Sequence, residues 1–285
     1  MVGPQAALLP DGRRLHLQHG PIDLIIEVFG PARQACYDQA IARFETILTG
    51  LVAELPALRA PLVPGAAVEG HGFQGPVARR MAAAVAPFKG IFVTPMAAVA
   101  GAVADEMLAA TIAGHSVPKA YVNNGGDVAF HLQPGQTARS IGAAGPIAIG
   151  FCDRPRGLAT SGWRGRSHSL GIADAVTVAA RDTATADAAA TLIANAVDLP
   201  GHPGIERLPA RHLAPDSDLE DRPVTTGVGP LSAAEIDLAL SSGTRLARRL
   251  VAKGLIDDAV LHLAGQTRAA AQPLQSPLEQ DHADA

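Results

Sequence analysis

The first clear pattern along the chain is an alternation of apolar and polar positions near the N-terminus. Every second residue of 22–29 is a branched aliphatic residue, from Ile22 to Val28, which is typical of a strand with one buried face. Residues 15–17 form a shorter apolar segment, and His19-Gly20-Pro21 separates the two segments with turn-forming residues. The pattern therefore predicts a β-hairpin.

Apolar residues then recur at helical spacing in three segments. The first, 31–55, begins with proline at the favoured first position of a helix, and a second follows over 76–87. The third, 96–114, follows the capping dipeptide Thr94-Pro95 and is rich in alanine and glycine. Small side chains allow a strand or a ligand to approach a helix closely, and tight packing of the helix on a sheet is the simpler explanation.

The rest of the chain alternates between predicted strands and helices. A β-branched run precedes an alanine-rich helix over 186–196, and Ser232 to Glu235 form a capping box. The helix after this box extends to residue 253, with an interruption expected near Gly243. The other predicted elements are strands at 88–93, 119–123, 128–132, 146–152, 157–160 and 174–180, an irregular segment at 201–230 and a final helix at 256–264.

These elements predict an α+β fold in which helices pack on antiparallel sheets. We expect a single domain over 10–265 and a disordered tail over 266–285. The 285 residues are 48% hydrophobic and 18% charged, which is sufficient for a substantial core.

Composition and charge exclude several classes of partner. The formal charge is −4, no basic stripe stands out and aromatic residues make up only 4% of the chain, so we do not expect nucleic-acid binding. The apolar run 96–112 contains Asp105-Glu106, and no signal peptide precedes the first strand, so we expect no membrane span and a cytoplasmic protein. The expected partner is a small-molecule ligand, with a homodimer possible.

Three short motifs could carry chemistry. Asp187 and Thr191 lie four residues apart, so one helix face would carry a carboxylate and a hydroxyl, which are hard oxygen ligands suited to Mg²⁺. The alternative is a capping Asp and a Thr bonded to its own helix. The second motif is Asn124-Gly125-Gly126-Asp127, which is typical of a type I′ hairpin turn and, alternatively, of a glycine turn that presents amides to phosphate.

The third motif is the small-residue turn Thr160-Ser161-Gly162, with His168 six residues after it. Histidine titrates near neutrality, so His168 could position a ligand or transfer a proton, although a structural role is equally compatible with the sequence. A hydrolase using Ser161, His168 and Asp174 is a weaker hypothesis, because Ser161 lacks the glycine elbow of such enzymes.

Taken in order, these motifs resemble the FAD:protein FMN transferases of the ApbE family. The similarity covers about 95–196 and includes the Asn123–Asp127 hairpin, the turn over 159–162, His168 and the Ala-Asp-Ala-Ala-Ala-Thr helix over 186–191. Gly101 and Asp105 match a further helix pattern of that family in part.

The chain departs from the family pattern at the start of the third helix. Ala100 stands where the family has a lysine, Met96 and Ala97 stand where it has glycines, and Trp163 replaces an acidic residue after the third motif. The sequence thus resembles a shorter, cytoplasmic branch of the ApbE family. By this resemblance, Met96, Ala97 and Ala98 at the start of the helix are expected to bind the cofactor.

The resemblance implies an ApbE-like, T-fold-related architecture and a Mg²⁺-dependent enzyme. It implies that Asp187 and Thr191 hold Mg²⁺ at the diphosphate of FAD, or of a related flavin or nucleotide, and that His168 is catalytic. The remaining residues that it assigns to cofactor binding are Asn124, Gly125, Gly126, Asp127, Thr160, Ser161 and Gly162. The expected reaction is FMN transfer or FAD cleavage, and the alternative is a flavin- or pterin-like ligand-binding protein without catalysis. In either case we expect these residues to converge on one cleft.

Overall fold

One large antiparallel sheet organises the molecule. The computed structural model describes residues 3–61, 72–88, 90–165 and 167–271. Nine strands form the sheet in the order β1-β2-β3-β4-β5-β8-β9-β12-β13, and every neighbouring pair is antiparallel. These strands are β1 (Gln5–Leu8), β2 (Leu15–His19), β3 (Ile22–Phe29), β4 (Lys119–Asn124), β5 (Asp127–Leu132), β8 (Gly157–Ser161), β9 (Ala175–Ala180), β12 (Asp258–Leu263) and β13 (Gln266–Ala269).

Two smaller hairpins lie beside this sheet, and helices cover one of its faces. The hairpins pair β6 (Thr137–Gly142) with β7 (Gly145–Gly150) and β10 (Ile205–Pro209) with β11 (Pro223–Val228). The helices are α1 (Arg33–Phe44), α2 (Ile47–Ala53), α3 (Leu55–Leu58), α4 (Pro76–Val85), α5 (Val99–Ile112), α6 (Thr183–Ala196), α7 (Ala210–Leu213) and α8 (Ala233–Ala252). The predicted α+β class with helices on antiparallel sheets is confirmed.

The predicted N-terminal hairpin forms between β2 and β3. Leu17 pairs with Leu24 and His19 with Ile22 across the turn at Gly20, whose φ of 57° suits glycine. Leu24 and Ile26 are completely buried under the helices, so the alternating pattern identified the buried face correctly.

The main core lies between the sheet and helices α5 and α6, which pack on its central strands. Helices α1 and α4 pack outside α5, and α8 packs on α6 and on β12 at the far end of the sheet. The opposite face carries a smaller core, where the β6–β7 hairpin covers part of the sheet around Phe130, Ile149 and Leu158.

By length and composition alone, one helical stretch in the described part of the chain, Pro95–Ile112, could cross a membrane, with a mean hydropathy of 1.3. Its position in the core accounts for its apolar composition. The two carboxylates that interrupt it are used inside the protein, because Asp105 binds α6 and Glu106 pairs with Arg43 and Arg80.

The helix predicted over 256–264 is wrong, because this segment is strand β12. Buried and half-buried positions alternate from Ala259 to Leu263, and the strand pairs with β9 on one side and β13 on the other. The run Ala259–Leu261 is apolar at consecutive positions, including half-buried Val260, so this short segment does not show a clear period of two in the sequence.

Three other boundaries differ from the prediction. The strand predicted at 88–93 is absent, since a 3₁₀ turn at Ala86–Phe88 and irregular chain occupy this part of the described structure. The helix predicted over 31–55 is divided into α1, α2 and α3, and the segment 201–230 contains β10, α7 and β11.

Helix α8 continues through Gly243 without the predicted interruption. A Cβ atom at Gly243 would lie 2.3 Å from a methyl carbon of Val197 and 2.7 Å from one of Leu261. Glycine is therefore used here for the close approach of α8 to its neighbours. The capping box formed by Ser232 and Glu235 is confirmed at the start of this helix.

The domain extends further at both ends than the predicted limits. Strand β1 precedes residue 10, and Gln266–Ala269, which was assigned to the tail, forms edge strand β13 because it hydrogen-bonds to β12. The rest of the predicted tail, 272–285, lies outside the described residues.

Candidate functional site

Helices α5 and α6 touch each other in their first turns. A Cβ atom at Gly101 would lie 2.3 Å from the carbonyl oxygen of Thr183, so only glycine permits this approach. The contact brings the unpaired N–H groups of one helix within reach of side chains from the other.

Each of the two helices caps the other. Asp187 of α6 accepts a hydrogen bond from the backbone N–H of Gly101 at 3.0 Å. Asp105 of α5 accepts the backbone N–H groups of Thr183 at 3.0 Å and Ala184 at 2.9 Å. Carboxylates are favourable at helix N-termini because the N–H groups and the helix dipole attract negative charge.

The capping alternative for Asp187 needs one correction. The cap of its own helix is Asp182, which accepts the N–H of Thr185 at 2.8 Å. Asp187 instead caps α5, where Ala98 at the N-cap position provides no side-chain hydrogen bond. The pairing spans 86 residues of sequence, so spacing within α6 could not indicate it.

A second carboxyl group meets Asp187 from the sheet. Asp127 is the first residue of β5, is 6% exposed and accepts the N–H of Thr160 at 3.2 Å. The carboxyl groups of Asp127 and Asp187 lie close enough together for each to shift the pKa of the other. Because ionised carboxylates only accept hydrogen bonds, we expect one of the two groups to hold a proton where they meet.

Burial raises the pKa of both carboxyl groups. The pKa of Asp187 rises from 3.8 to about 7, mainly through desolvation, and the pKa of Asp127 rises well above its usual range through desolvation and the nearby charge of Asp187. Burial also raises the pKa of Asp105. None of these three groups forms an ion pair with the described residues.

The hairpin turn predicted between β4 and β5 is confirmed and lies beside this pair. Asn124 pairs with Asp127, and φ angles of 64° at Gly125 and 117° at Gly126 require glycine. The side chain of Asn123 accepts the Gly126 N–H at 2.8 Å, so this amide is engaged within the turn. The Asn124 side chain donates to the carbonyl of Ala100 at 3.0 Å and ties the turn to the first residues of α5.

The other residues assigned by sequence occupy different positions around α6. The Thr160 hydroxyl hydrogen-bonds Thr177 at 2.9 Å on the opposite face of the sheet, while Ser161 is half-buried at the end of β8. Gly162 packs so closely that its Cβ would lie 2.4 Å from the carbonyl oxygen of Asp174. Thr191, one turn beyond Asp187, is half-buried.

His168 is exposed and belongs to the other end of α6. The next residue, Ser169, donates to the side chain of Asn195 at 3.2 Å. Asn195 lies eight residues after Asp187, about 12 Å further along the helix. The Asp127–Asp187 pair and His168 are therefore separated along the helix axis.

Met96, Ala97 and Ala98 form the 3₁₀ turn Pro95–Ala98 that leads into α5. They lie two to five residues before Ala100 and Gly101, which contact Asn124 and Asp187 respectively. The structure thus places them near the start of α5 without assigning them a ligand.

The Ser161–His168–Asp174 arrangement is not assembled. Asp174 accepts hydrogen bonds from Trp163 at 3.2 Å and Arg164 at 2.7 Å, and from the backbone of Ala264. Among the described residues, no hydrogen bond joins His168 to either of the other two. The donors around Asp174 lower its pKa, as is expected for a structural ion pair.

In the sequence, Asp105 matches a helix pattern in part, and the pattern does not indicate what Asp105 contacts. The structure shows that it closes the contact between α5 and α6. The sequence does hint at a specific contact, because Asp105 and Glu106 are the only charged residues in the otherwise apolar helix α5. A charge at such a position usually has a specific partner.

The Asp127–Asp187 pair fits a magnesium ion by its donor chemistry. Two desolvated carboxyl groups lie side by side, and a divalent cation would compensate both charges in place of the proton that we expect between them. In the described part of the chain no three His, Cys, Asp or Glu side chains form a metal cluster. Mg²⁺ in proteins often takes only one or two carboxylates and completes its shell with water and substrate phosphate.

A cavity of about 380 Å³ lies on the opposite face of the sheet, under the β6–β7 hairpin. Its floor is apolar, with Phe130 and Leu158, and Lys119 and Arg139 are at its walls. Within it Glu27 accepts the Tyr121 hydroxyl at 3.0 Å, and burial with this carboxylate raises the pKa of Tyr121 to about 12. Asp127 and Asp187 do not line this cavity, because they face the helices.

Comparison with known proteins gives the family. The sequence profile described as AbpE bacteria matches residues 6–269, nearly the whole described chain. The chain belongs to the AbpE bacteria family. The match includes helices α5 and α6, which cap each other, and all nine strands of the large sheet, apart from Gln5 at the start of β1.

Members of a second named group are similar to this AbpE bacteria chain. The UPF0280 protein of Methanopyrus kandleri is 39% identical over 162 residues, which cover 55% of this chain and 63% of that protein. The UPF0280 protein of Methanococcoides burtonii is 37% identical over 128 residues, or 43% of this chain and 53% of that protein. The chain thus matches little more than half the length of these relatives.

Proposed function

We propose that the protein is a Mg²⁺-dependent enzyme that acts on the diphosphate of FAD or of a related flavin or nucleotide. The observation that carries the proposal is the proximity of the Asp127 and Asp187 carboxyl groups, which have raised pKa values and form no ion pair within the described part of the chain. The motif resemblance to the FAD:protein FMN transferases supports the choice of substrate class.

In this proposal Asp127 and Asp187 hold the metal, with Thr191 available one helical turn away. A bound Mg²⁺ would neutralise the charge that develops on a diphosphate oxygen during cleavage. Asp187 also keeps the α5 N-terminus in place through the Gly101 N–H. The Thr160 N–H orients Asp127, so the two ligands approach from separate, rigid elements.

The turn Asn124–Asp127 is proposed to border the substrate. Gly125 and Gly126 are exposed, and a Cβ atom at Gly126 would meet no atom within 4 Å, so the backbone there is open to a ligand. His168 is proposed only as a distant contact for a nucleotide-sized ligand, because it lies at the other end of α6.

The test compares two Asp→Asn variants on the same helix. FAD is incubated with the wild type, with Asp187→Asn and with Asp182→Asn, in Mg²⁺ and in EDTA, and released FMN and AMP are separated by chromatography. Asp182 is the exposed N-cap of α6, where Asn is nearly as good a cap as Asp, so this control should keep full activity. We expect Mg²⁺-dependent release by the wild type and the control and none by Asp187→Asn. Equal release by all three proteins, or none by the wild type, would contradict the proposal.

A second candidate function is binding of a flavin- or pterin-like ligand without catalysis, and the cavity beneath the β6–β7 hairpin favours it. Its volume is in the range of small-molecule sites, and an apolar floor with a few polar groups is typical of them. Fluorescence titration of FMN into the wild type and Phe130→Ala would test this function. Tight binding of unaltered FMN that the substitution weakens would favour it, and equal binding by both proteins would oppose it.

A further inference from the structure

A groove at the edge of the large sheet, between α8 and β13, is lined by arginine residues. Its volume is about 670 Å³, which is within the range of ligand sites. Arg245, Arg248 and Arg249 extend into it from α8, and Arg268 faces them from β13. The groove is far along the sheet from β5, which carries Asp127.

Most of this positive charge is not neutralised within the described part of the chain. Arg268 pairs with Asp237, but Arg248 and Arg249 form no ion pair there, and Arg245 donates only to the Ser242 hydroxyl at 3.2 Å. Positions 245, 248 and 249 share one helix face, where like charges repel each other. The dipole at the end of α8 favours a cation in the last turn, such as Arg249, but it does not explain Arg245.

A buried hydroxyl without a partner also lies beside the groove. Thr244 lines the groove, is 5% exposed, and its Oγ1 atom has no hydrogen-bond partner among the described residues. The groove thus borders an unsatisfied polar group as well as the arginine residues.

We propose that this groove is an anion site that binds a ligand with two or more phosphate groups. Guanidinium groups form paired, charge-assisted hydrogen bonds with phosphate oxygens, and three unneutralised arginines match the charge of such a ligand. The site is separate from the Asp127–Asp187 pair, and the proposal does not depend on the enzymatic function proposed above.

The test uses inorganic triphosphate as the probe and the full chain in EDTA, so that no metal contributes to binding. Calorimetric titration at low ionic strength compares the wild type with Arg248→Gln/Arg249→Gln. The substitutions remove two guanidinium groups that would form charge-assisted hydrogen bonds with the probe, so we expect the double variant to bind at least about tenfold more weakly.

Two controls separate the outcomes. Arg79→Gln/Arg211→Gln removes the same charge from exposed positions outside the groove and should bind like the wild type. Asp127→Asn should also bind triphosphate unchanged, which separates this site from the carboxyl pair. Absence of binding by the wild type, or the same loss in both arginine double variants, would overturn the proposal.

Discussion

Asp105 and Asp187 each cap the helix to which the other belongs. Asp105 accepts two N–H groups at the start of α6, and Asp187 accepts one at the start of α5. The exchange requires the two helices to touch at Gly101, and it keeps both carboxyl groups away from water. The contact between α5 and α6 therefore also buries the Asp187 carboxyl group beside Asp127, which raises its pKa.

Replacing Asp127 by Asn should preserve the fold and remove the shared proton. The amide can donate to Asp187, as the protonated carboxyl does, and its oxygen can still accept the Thr160 N–H. We expect thermal unfolding at pH 5 to stay near that of the wild type. A large loss of stability at pH 5 would show that the two carboxyl groups do not share a proton.

Stability should fall as pH rises, because the folded state holds protons that the unfolded chain releases. The pKa of Asp187 rises from 3.8 to about 7 on folding, and that of Asp127 also rises, so between these values the folded state binds more protons. The contribution is fully present below about pH 4 and decreases through pH 7 and above, in the absence of metal. Urea unfolding at several pH values in EDTA measures it, and the curve for Asp127→Asn should be flatter. Identical pH dependence of the two proteins would contradict this assignment.

Adding one methyl group at Gly101 should disrupt the contact between α5 and α6. The new Cβ would lie 2.3 Å from the Thr183 carbonyl oxygen, so the helices must separate, at a cost of at least about 1–3 kcal/mol. Gly50→Ala is the matched control, because Gly50 lies in α2 and its Cβ would meet nothing within 4 Å. There we expect a gain of about 0.5–1 kcal/mol. Urea unfolding measures the free energy of unfolding of both variants. Similar changes in the two would show that α5 and α6 can separate at Gly101 without cost.

Removing the Asp105 carboxyl should destabilise the start of α6. Asp105→Ala leaves the N–H groups of Thr183 and Ala184 without acceptors, which we expect to cost about 1–3 kcal/mol. Asp105→Asn retains one acceptor oxygen and should lose less. Hydrogen exchange at these two amides reports the change locally, and unaltered protection in Asp105→Ala would exclude the capping role.

The parts of this structure that sequence could predict depend on short-range signals. The hairpin at His19 to Ile22, the turn Asn124–Asp127 and the capping box at Ser232 are each determined by residues within a few positions. Strand β12 was predicted as a helix because its apolar run is buried by partners distant in sequence. Asp187 is a similar case, because its contacts Gly101 and Asp127 are distant in sequence and the spacing within α6 does not indicate them.

Binding of Mg²⁺ to the carboxyl pair should become tighter as pH rises. The ion needs both carboxylates ionised, so it must displace the proton that Asp127 and Asp187 share. Since burial raises both pKa values, the proton competes strongly at pH 5 and less at pH 8. Calorimetric titration of Mg²⁺ in two buffers of different ionisation enthalpy should show weaker binding and more proton release at the lower pH. Asp182→Asn should behave like the wild type, whereas Asp127→Asn should lose both the binding and the proton release. Affinity that does not change with pH would place any bound Mg²⁺ away from this pair.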